Sequence, residues 1–345
     1  MTLLGRRILV ALAVLAIALL VYLAYPFASA LLVAAVLAAI FYVSAGDLNP
    51  PPGLITATQR TPIGPSTTPG DVDSLYKITQ PGSYYLTGNI SGVANKIGIE
   101  IASSGVTLDL MGFDLEGVLG SFSGVSVTIA VTDIAVFNGS VRNWGNYGVI
   151  LSTASATHLA NLRVSGNAIS GIVAGGNAVV TGCSARNNSD VGISVASAGT
   201  ITNCSASLNG GDGFSLNLGS LITNCSAVSN TGDGISVGQA CVVRENVCQT
   251  NGFGGGTGAG IRATSINSRI EDNNCTLNDV GVEADSAGNL IIKNSCASNT
   301  TNYDFVLGNR YGPIINLTAG GAAAVSGNSA VSAVASTDPW ANFAY

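Results

Sequence analysis

A stretch of sixteen residues occurs twice in nearly the same form, as ITNCSASLNGGDGFSL at 201–216 and ITNCSAVSNTGDGISV at 222–237. The two copies begin 21 residues apart, and an asparagine in each belongs to a longer series at that spacing. The series is Asn167, Asn188, Asn209, Asn230, Asn251, Asn278 and Asn299, with one longer interval between Asn251 and Asn278. A period of about 20 to 50 residues indicates a solenoid or an array of repeated units.

Each unit keeps the same internal pattern. An apolar residue lies eight positions before every asparagine of the series: Leu159, Val180, Ile201, Ile222, Val243, Ile270 and Ile291. A glycine, an apolar residue, any residue and a second apolar residue follow the asparagine, which is typical of short strands. Helical repeats need about 33 to 47 residues and propeller blades about 40 to 45, so a parallel β-helix, an all-β solenoid, remains.

Two columns of small residues are expected inside this coil. Five positions before the asparagines the residues are Cys183, Cys204, Cys225, Asn246, Asn273 and Asn294, and three positions before them they are Ala185, Ala206, Ala227, Cys248, Cys275 and Cys296. Because equivalent residues of successive coils stack about 4.8 Å apart, we expect an amide ladder in a turn, with buried thiols in the equivalent places. That spacing also permits disulfides, but the interior position favours free thiols.

The repeats resemble the right-handed parallel β-helix proteins of the pectate-lyase-like superfamily. The resemblance covers roughly residues 76–315, and ITQPGSYYLTGNI (78–90) and GVTLDLMGFDLEG (105–117) look like its opening coils, with Met111 in place of an asparagine. It implies a single-stranded right-handed β-helix. It implies little about activity, since this fold hosts lyases, hydrolases, epimerases and proteins without catalysis.

The N-terminus predicts export. No charged residue occurs between Arg7 and Asp47, and residues 1–45 read as a signal peptide or membrane anchor with a hydrophobic helical segment. Contact with a membrane through 8–45 is expected if this leader is retained. A Pro-rich linker at 46–75, the β-helix at 76–315 and a capping segment at 316–345 complete the expected organisation.

Composition and motifs exclude several functions. The net charge of −6 offers no basic surface for nucleic acid. The single histidine, His158, reads as structural, and no Walker motif, CxxC pair or nucleophile elbow occurs. The sequence therefore predicts no metal site and no cofactor, with calcium as the one ion left open.

Charged residues that stack in register are the candidate site. Arg244, Glu245, Glu271, Asp272 and Lys293 are the candidate catalytic residues if the protein is an enzyme, and the outward positions Arg262 and Glu283 are candidate binding residues. A second stripe, Asp190, Asp212, Asp233 and Asp279, precedes the turn glycines and is expected to bond its own backbone, with a calcium ladder as the alternative. Alternating ion pairs at the surface are the plainer interpretation of the first group.

These observations favour an exported protein of the cell envelope or the extracellular space. We expect a structural or glycan-binding role for it, with a polysaccharide or another envelope component as partner and no recognisable catalytic centre. The alternative is a polysaccharide lyase or glycoside hydrolase that acts on an extracellular glycan.

Overall fold

The structure is a computed structural model that describes residues 15–16, 60–252, 258–316 and 338–345. The chain divides into two units, 1–59 and 60–345. The leader and the helical segment expected at 1–45 lie outside the described residues, except for residues 15 and 16. Within the described ranges, no helix has the length and apolar character that a membrane crossing requires. In the described part of the second unit all regular structure is β, in 32 strands.

Each coil contributes one strand to each of three parallel sheets, which we name A, B and C. Sheet A contains Ser74–Ile78, Ile97–Ile101, Val125–Val127, the first part of Val149–Ser165, Ile172–Gly176, Ile193–Val195, Phe214–Leu216, Ile235–Val237, Ala259–Ala263, Val280–Ala284 and Thr301–Phe305. Sheet B contains Thr61–Pro62, Gly82–Tyr85, Val106–Asp109, the first part of Thr132–Arg142, the middle of Val149–Ser165, Val179–Thr181, Thr200–Thr202, Leu221–Thr223, Val242–Arg244, Arg269–Glu271, Leu290–Ile292 and Arg310–Tyr311. Sheet C contains Ile90–Ser91, Asp114–Glu116, the ends of Thr132–Arg142 and Val149–Ser165, Ser184–Arg186, Ser205–Ser207, Ser226–Val228, Val247–Gln249, Asn274–Thr276, Ser295–Ala297, Asn342–Ala344 and Ile314–Asn316.

The register between coils is the sequence period itself. Ile201 pairs with Ile222 and Ile222 with Val243, so each residue lies directly over its equivalent in the next coil. The apolar residues eight positions before the asparagines of the series are all fully buried on the inner face of sheet B. Burying one such side chain contributes roughly 1.5 to 3 kcal/mol, so this repeated column is a main source of the fold's stability. The predicted parallel β-helix is confirmed.

The turns between the sheets use the left-handed backbone conformation. One residue with a positive φ recurs in each turn; between sheets B and C it is Asn161, Gly182, Asn203, Asn224, Glu245, Asp272 and Lys293. Asparagine and glycine suit this conformation, whereas other residues lose about 1 to 2 kcal/mol in it. This local requirement explains the asparagines at 161, 203 and 224 in the turn between sheets B and C.

The residue after the positive-φ position in the turn between sheets B and C points inward, and its side chain accepts a backbone N–H from the preceding coil. The amide of Asn246 donates to Oδ1 of Asn273 at 3.0 Å, and that of Asn273 donates to Oδ1 of Asn294 at 2.9 Å. Where the column holds cysteines, the backbone N–H of Cys183 points at Sγ of Cys204 at 3.4 Å. The expected amide ladder with thiols in the equivalent places is confirmed, and all seven cysteines are buried and free.

A second amide ladder, which the sequence did not predict, runs through the asparagines of the 21-residue series in the turn between sheets C and A. The side-chain amide of Asn167 donates to Oδ1 of Asn188 at 2.8 Å, and the pattern continues to Asn299. The same side chains also bond buried backbone groups: Oδ1 of Asn209 accepts the backbone N–H of Asn188 at 3.1 Å, and its amide donates to the carbonyl of Ala185 at 3.2 Å.

The first strand of the coil begins earlier than the sequence predicts, and the last strands do not follow the order of the chain. Thr61–Pro62 pairs with Tyr84–Tyr85, so the first rung begins inside the stretch predicted as a linker. At the other end, Asn342–Ala344 lies between Ser295–Ala297 and Ile314–Asn316 in sheet C. Asn342 there continues the ladder, since its Oδ1 accepts the backbone N–H of Asn294 at 2.9 Å.

Candidate functional site

The outer face of sheet A carries one continuous column of polar side chains. Ser194, Ser215 and Ser236, which we name the serine column, are paired in register with one another. The next residues of the same column are Arg262, Glu283 and Asp304. Strand residues alternate between the two faces of a sheet, and their apolar neighbours point into the core, so these six side chains point outward.

A shallow groove of about 390 Å³ follows the serine column. Its wall includes Ser152 at one end and Thr264 at the other, so it crosses six coils, a length of about 24 Å at the usual strand spacing. The three hydroxyl groups of the serine column make no hydrogen bond to any residue in the described part of the chain. They are therefore open to a ligand that lies along the groove.

Arg262 lies at the end of the serine column and is held by three carboxylates, which together we name the Arg262 cluster. Its Nε is 2.8 Å from Oδ2 of Asp285 and 3.6 Å from Oε2 of Glu283, and its Nη1 is 3.9 Å from Oδ2 of Asp233. These contacts, with that of Asp285 the strongest, raise the pKa of Arg262 further above its ordinary value. The sequence placed Arg262 and Glu283 together, and the structure does bring them together.

Asp233 and Asp285 were not predicted as partners of Arg262: Asp233 was noted only in the aspartate stripe, and Asp285 was not noted at all. Burial raises the pKa of Asp233 to about 7, although its Oδ1 accepts the backbone N–H of Ala259 at 2.7 Å. Burial also raises the pKa of Asp212 and of Glu283. A carboxyl group that titrates near neutral pH beside an arginine is chemically suited to proton transfer.

The aspartate stripe differs from its expected bonding pattern. Oδ1 of Asp212 accepts the backbone N–H of Asp233 in the next coil at 2.8 Å, and Oδ2 of Asp279 accepts that of Gly258 in the coil before at 3.1 Å. These carboxylates therefore join neighbouring coils rather than their own turns. The reason is the close stacking of the coils, which brings the backbone of the next turn within hydrogen-bond distance.

The five candidate catalytic residues lie on sheet B and on the turn that follows it, away from the serine column. Arg244 pairs in register with Glu271. Oε2 of Glu271 contacts Nη2 of Arg269 at 2.5 Å, and this ion pair lowers the pKa of Glu271.

The other three candidates, Glu245, Asp272 and Lys293, occupy the positive-φ position of successive turns between sheets B and C. Nζ of Lys293 is 3.9 Å from Oδ2 of Asp272 and 5.1 Å from the ring centre of Trp340. The five residues therefore lie on successive coils, where Glu271 pairs with Arg269 and Asp272 pairs with Lys293.

One group of carboxylates within the described residues is close enough to hold a metal ion: Asp71, Asp73 and Glu100. The ammonium group of Lys77 lies among them, 2.7 Å from Oδ2 of Asp71 and 3.0 Å from Oε2 of Glu100. The hydrogen bond from Lys77 holds the pKa of Asp71 well below its usual range. Since a lysine already supplies the positive charge, the group fits an ion-pair network better than a calcium site.

Comparisons with known proteins agree with this architecture. Residues 123–265 match a family model described as the right handed beta helix region. No curated protein matches by sequence. Among solved structures, the A-module of mannuronan C-5 epimerase AlgE4 of Azotobacter vinelandii has a TM-score of 0.55 at 16% identity, over 72% of this chain and 88% of that one.

Two further structures have the same fold. The A-module of mannuronan C-5 epimerase AlgE6 of Azotobacter vinelandii has a TM-score of 0.52 at 15% identity, over 72% of this chain and 86% of that one. The Dettilon tailspike protein gp208 has a TM-score of 0.55 at 14% identity, over 71% of this chain and 56% of that one. With the stacked coils and the match to the right handed beta helix region over residues 123–265, these likenesses show that the chain has the right-handed parallel β-helix fold.

Proposed function

We propose that this protein binds an extended polysaccharide along the serine column on the outer face of sheet A. The observation that carries the proposal is the set of three hydroxyl groups, in register on adjacent coils, that have no partner among the described residues. Each hydroxyl is both a donor and an acceptor, as is each hydroxyl of a sugar. A column of them therefore suits a ligand that presents hydroxyl groups along its length.

The scaffold fixes these groups before the ligand arrives. Ser194, Ser215 and Ser236 lie on strands whose flanking residues are buried, so their positions are set by the core and not by a loop. Binding to fixed groups costs less ordering than binding to a mobile surface. An open groove about 24 Å long is also better matched to a chain than to a single small molecule.

The fold neighbours support the same class of ligand. Two of them are named as mannuronan C-5 epimerases, and mannuronan is a polysaccharide. The apolar run at 8–45 suits a signal or an anchor. On this basis and from the class of ligand, we place the protein in the cell envelope or outside the cell. Its role there is structural, glycan-binding or both.

Binding is tested by titrating the full-length chain, in detergent, with a panel of oligosaccharides by isothermal calorimetry after a glycan-array screen. The triple variant Ser194→Ala, Ser215→Ala and Ser236→Ala is expected to bind at least about 10-fold more weakly, since three hydrogen bonds are lost. The matched control is Ser184→Ala, Ser205→Ala and Ser226→Ala, three stacked serines of the same coils on sheet C. Equal affinity of the two triple variants, or no bound glycan at all, contradicts the proposal.

A second candidate function is cleavage of the bound polysaccharide. The observation that favours it is Asp233, a buried carboxyl group with a pKa raised to about 7 beside the guanidinium of Arg262. In this reading Asp233 is the general acid or base and Arg262 stabilises negative charge. The candidate catalytic residues Glu245, Glu271, Asp272, Arg244 and Lys293 provide the competing location on sheet B.

The two locations are separated by activity screening on acidic and neutral polysaccharides, with and without calcium, with detection of unsaturated products by absorbance. Asp233→Asn abolishes activity if the centre is on sheet A, whereas Glu245→Gln and Asp272→Asn abolish it if the centre is on sheet B. If neither set of variants loses activity, both catalytic assignments are wrong. If the wild-type protein is inactive on every polysaccharide, only the binding role remains.

A further inference from the structure

The outer face of sheet A carries a single positive charge near the groove. Among the described strands of sheet A from Ile172–Gly176 to Thr301–Phe305, the only lysine or arginine is Arg262. The other side chains of its outward column are neutral on one side of it, in the serine column, and acidic on the other, at Glu283 and Asp304. Whether this face attracts or repels an anionic chain is therefore decided by how much of the charge of Arg262 reaches a ligand.

That charge is offset by the carboxylates around it. Asp285 binds Nε of Arg262 at 2.8 Å, Glu283 lies 3.6 Å from the same atom, and Asp233 lies 3.9 Å from Nη1. Two of these carboxylates are on the solvent side of the cluster, with side chains 24% and 32% exposed for Glu283 and Asp285. The Arg262 side chain is itself 38% exposed, and among the described residues only its Nε is within hydrogen-bond distance of a carboxylate, so these carboxylates oppose an incoming anion by charge repulsion rather than by covering the guanidinium.

The sum of charges around Arg262 is negative. One guanidinium lies beside Glu283, Asp285 and Asp233, and Asp304 adds a further carboxylate next to Glu283 in the same column. A chain that carries a carboxylate on every sugar would meet this negative potential while it lies in a groove that offers it only hydroxyl groups. A neutral chain meets no such opposition and can bond the serine column directly.

We propose that Glu283 and Asp285 make this face selective for neutral polysaccharides, because they offset the charge of Arg262 and so repel polyuronates. This inference rests on the proposed binding function and adds the class of ligand to it. It sets this chain apart from the epimerases of the same fold, whose named substrate, mannuronan, is a polyuronate. The two carboxylates are specificity-determining residues, and Arg262 is a latent anion-binding group whose charge they offset.

The test compares two ligands of equal length, a neutral β-glucan oligomer and an oligomannuronate, on the full-length chain in detergent at low ionic strength. Wild-type protein is expected to bind the neutral oligomer at least about 10-fold more tightly than the oligomannuronate. The double variant Glu283→Gln and Asp285→Asn is expected to gain at least about 10-fold in affinity for the oligomannuronate, with the affinity for the neutral oligomer unchanged within about 2-fold. The gain should disappear in high salt, because it is electrostatic.

Three controls make the outcomes distinct. The single variants Glu283→Gln and Asp285→Asn are measured alongside, with folding verified by circular dichroism, in case the double variant is too unstable. Glu116→Gln removes a carboxylate from an arginine pair on sheet C, where Oε1 of Glu116 lies 2.6 Å from Nη1 of Arg142, and should leave both affinities unchanged. If the wild type prefers the oligomannuronate, or if no variant gains affinity for it, the proposed selectivity is wrong while the binding function stands. If the wild type binds neither ligand nor any glycan of the screen, the binding function itself is wrong.

Discussion

The side-chain amide of Asn209 donates to Oδ1 of Asn230, its equivalent in the next coil, at 2.9 Å. The same oxygen accepts the backbone N–H of Asn209 at 3.1 Å. The amide of Asn230 in turn donates to Oδ1 of Asn251 at 3.0 Å and to the carbonyl of Ala206 at 3.1 Å. One buried side chain therefore joins the coils before and after it, so the stability of the ladder depends on each of its members.

Replacing Asn230 by alanine is expected to destabilise the fold by about 2 to 5 kcal/mol, because several buried donors and acceptors lose their partner at once. The measurement is equilibrium unfolding in urea, followed by circular dichroism. Asn217→Ala is the matched control, since Asn217 is exposed and bonds only the backbone of the adjacent Leu218. If both variants lose the same stability, the ladder is not a source of the fold's stability.

The raised pKa of Asp233 predicts a stability that falls as the pH rises. The folded state holds the proton up to about pH 7, whereas the unfolded chain releases it near 3.8. Protonation therefore stabilises the fold at low pH, and this contribution is lost between about pH 4 and pH 7, by at most about 4 kcal/mol. Asp212 and Glu283 act in the same direction, since burial raises the pKa of both, and Arg262 opposes all three.

Thermal unfolding at intervals from pH 4 to pH 8.5 measures this dependence. Asp233→Asn keeps an oxygen for the N–H of Ala259 but does not titrate, so its unfolding temperature should fall less over the same range. A pH dependence identical to that of the wild type would mean that Asp233 ionises normally, and the proton-transfer role would lose its support.

Phe214 tests how strictly the columns of the core are specified. It is fully buried between Ile193 and Ile235 in sheet A, so one coil carries an aromatic ring where its neighbours carry isoleucine. Phe214→Ala is expected to cost about 3 to 5 kcal/mol because it leaves a cavity. Phe214→Ile restores the residue of the adjacent rungs and should cost less than about 1.5 kcal/mol. Urea unfolding of both variants shows whether the stability requires only that the column be filled or also requires the particular shape of the ring.

The sequence predicted the vertical columns well, because a fixed period converts spacing along the chain into stacking in space. The apolar column from Leu159 to Ile291, six of the seven cysteines and the asparagines lie where the period of 21, with its one interval of 27, puts them. The Arg262 cluster was only half predicted. Register placed Arg262 beside Glu283, but its side chain also reaches Asp285 two residues further along and Asp233 one coil before, and register does not specify the direction of a long side chain.

The C-terminal strand was beyond the reach of the repeat pattern. Asn342 follows Asn294 in the ladder although 48 residues separate them, since Ile314–Asn316 takes the outer place in sheet C. No period connects these positions, and the pairing is decided by which strand fits the open edge. The raised pKa of Asp233 was likewise hidden, because it depends on burial by neighbouring coils and not on the turn in which the residue lies.

Glu245 offers a prediction that also bears on the competing catalytic location. It has a φ of 58°, at the turn position where the two preceding coils carry Asn203 and Asn224, both with a φ of 54°. Glutamate is strained in this conformation, so Glu245→Asn should stabilise the fold by about 1 kcal/mol. The measurement is urea unfolding, with activity or glycan binding recorded on the same samples.

Glu245→Ala is the control for this substitution, because it removes the carboxylate but not the backbone strain. If the asparagine variant is more stable than the alanine variant, the left-handed turn is the cause of the gain. If the two variants are equally stabilised, the cause is relief of the repulsion between the carboxylates of Glu245 and Asp272, which occupy the same position in successive turns. A gain in stability without a loss of function would show that Glu245 serves the turn only, whereas a gain accompanied by a loss of function would mark a strained residue retained for its chemistry.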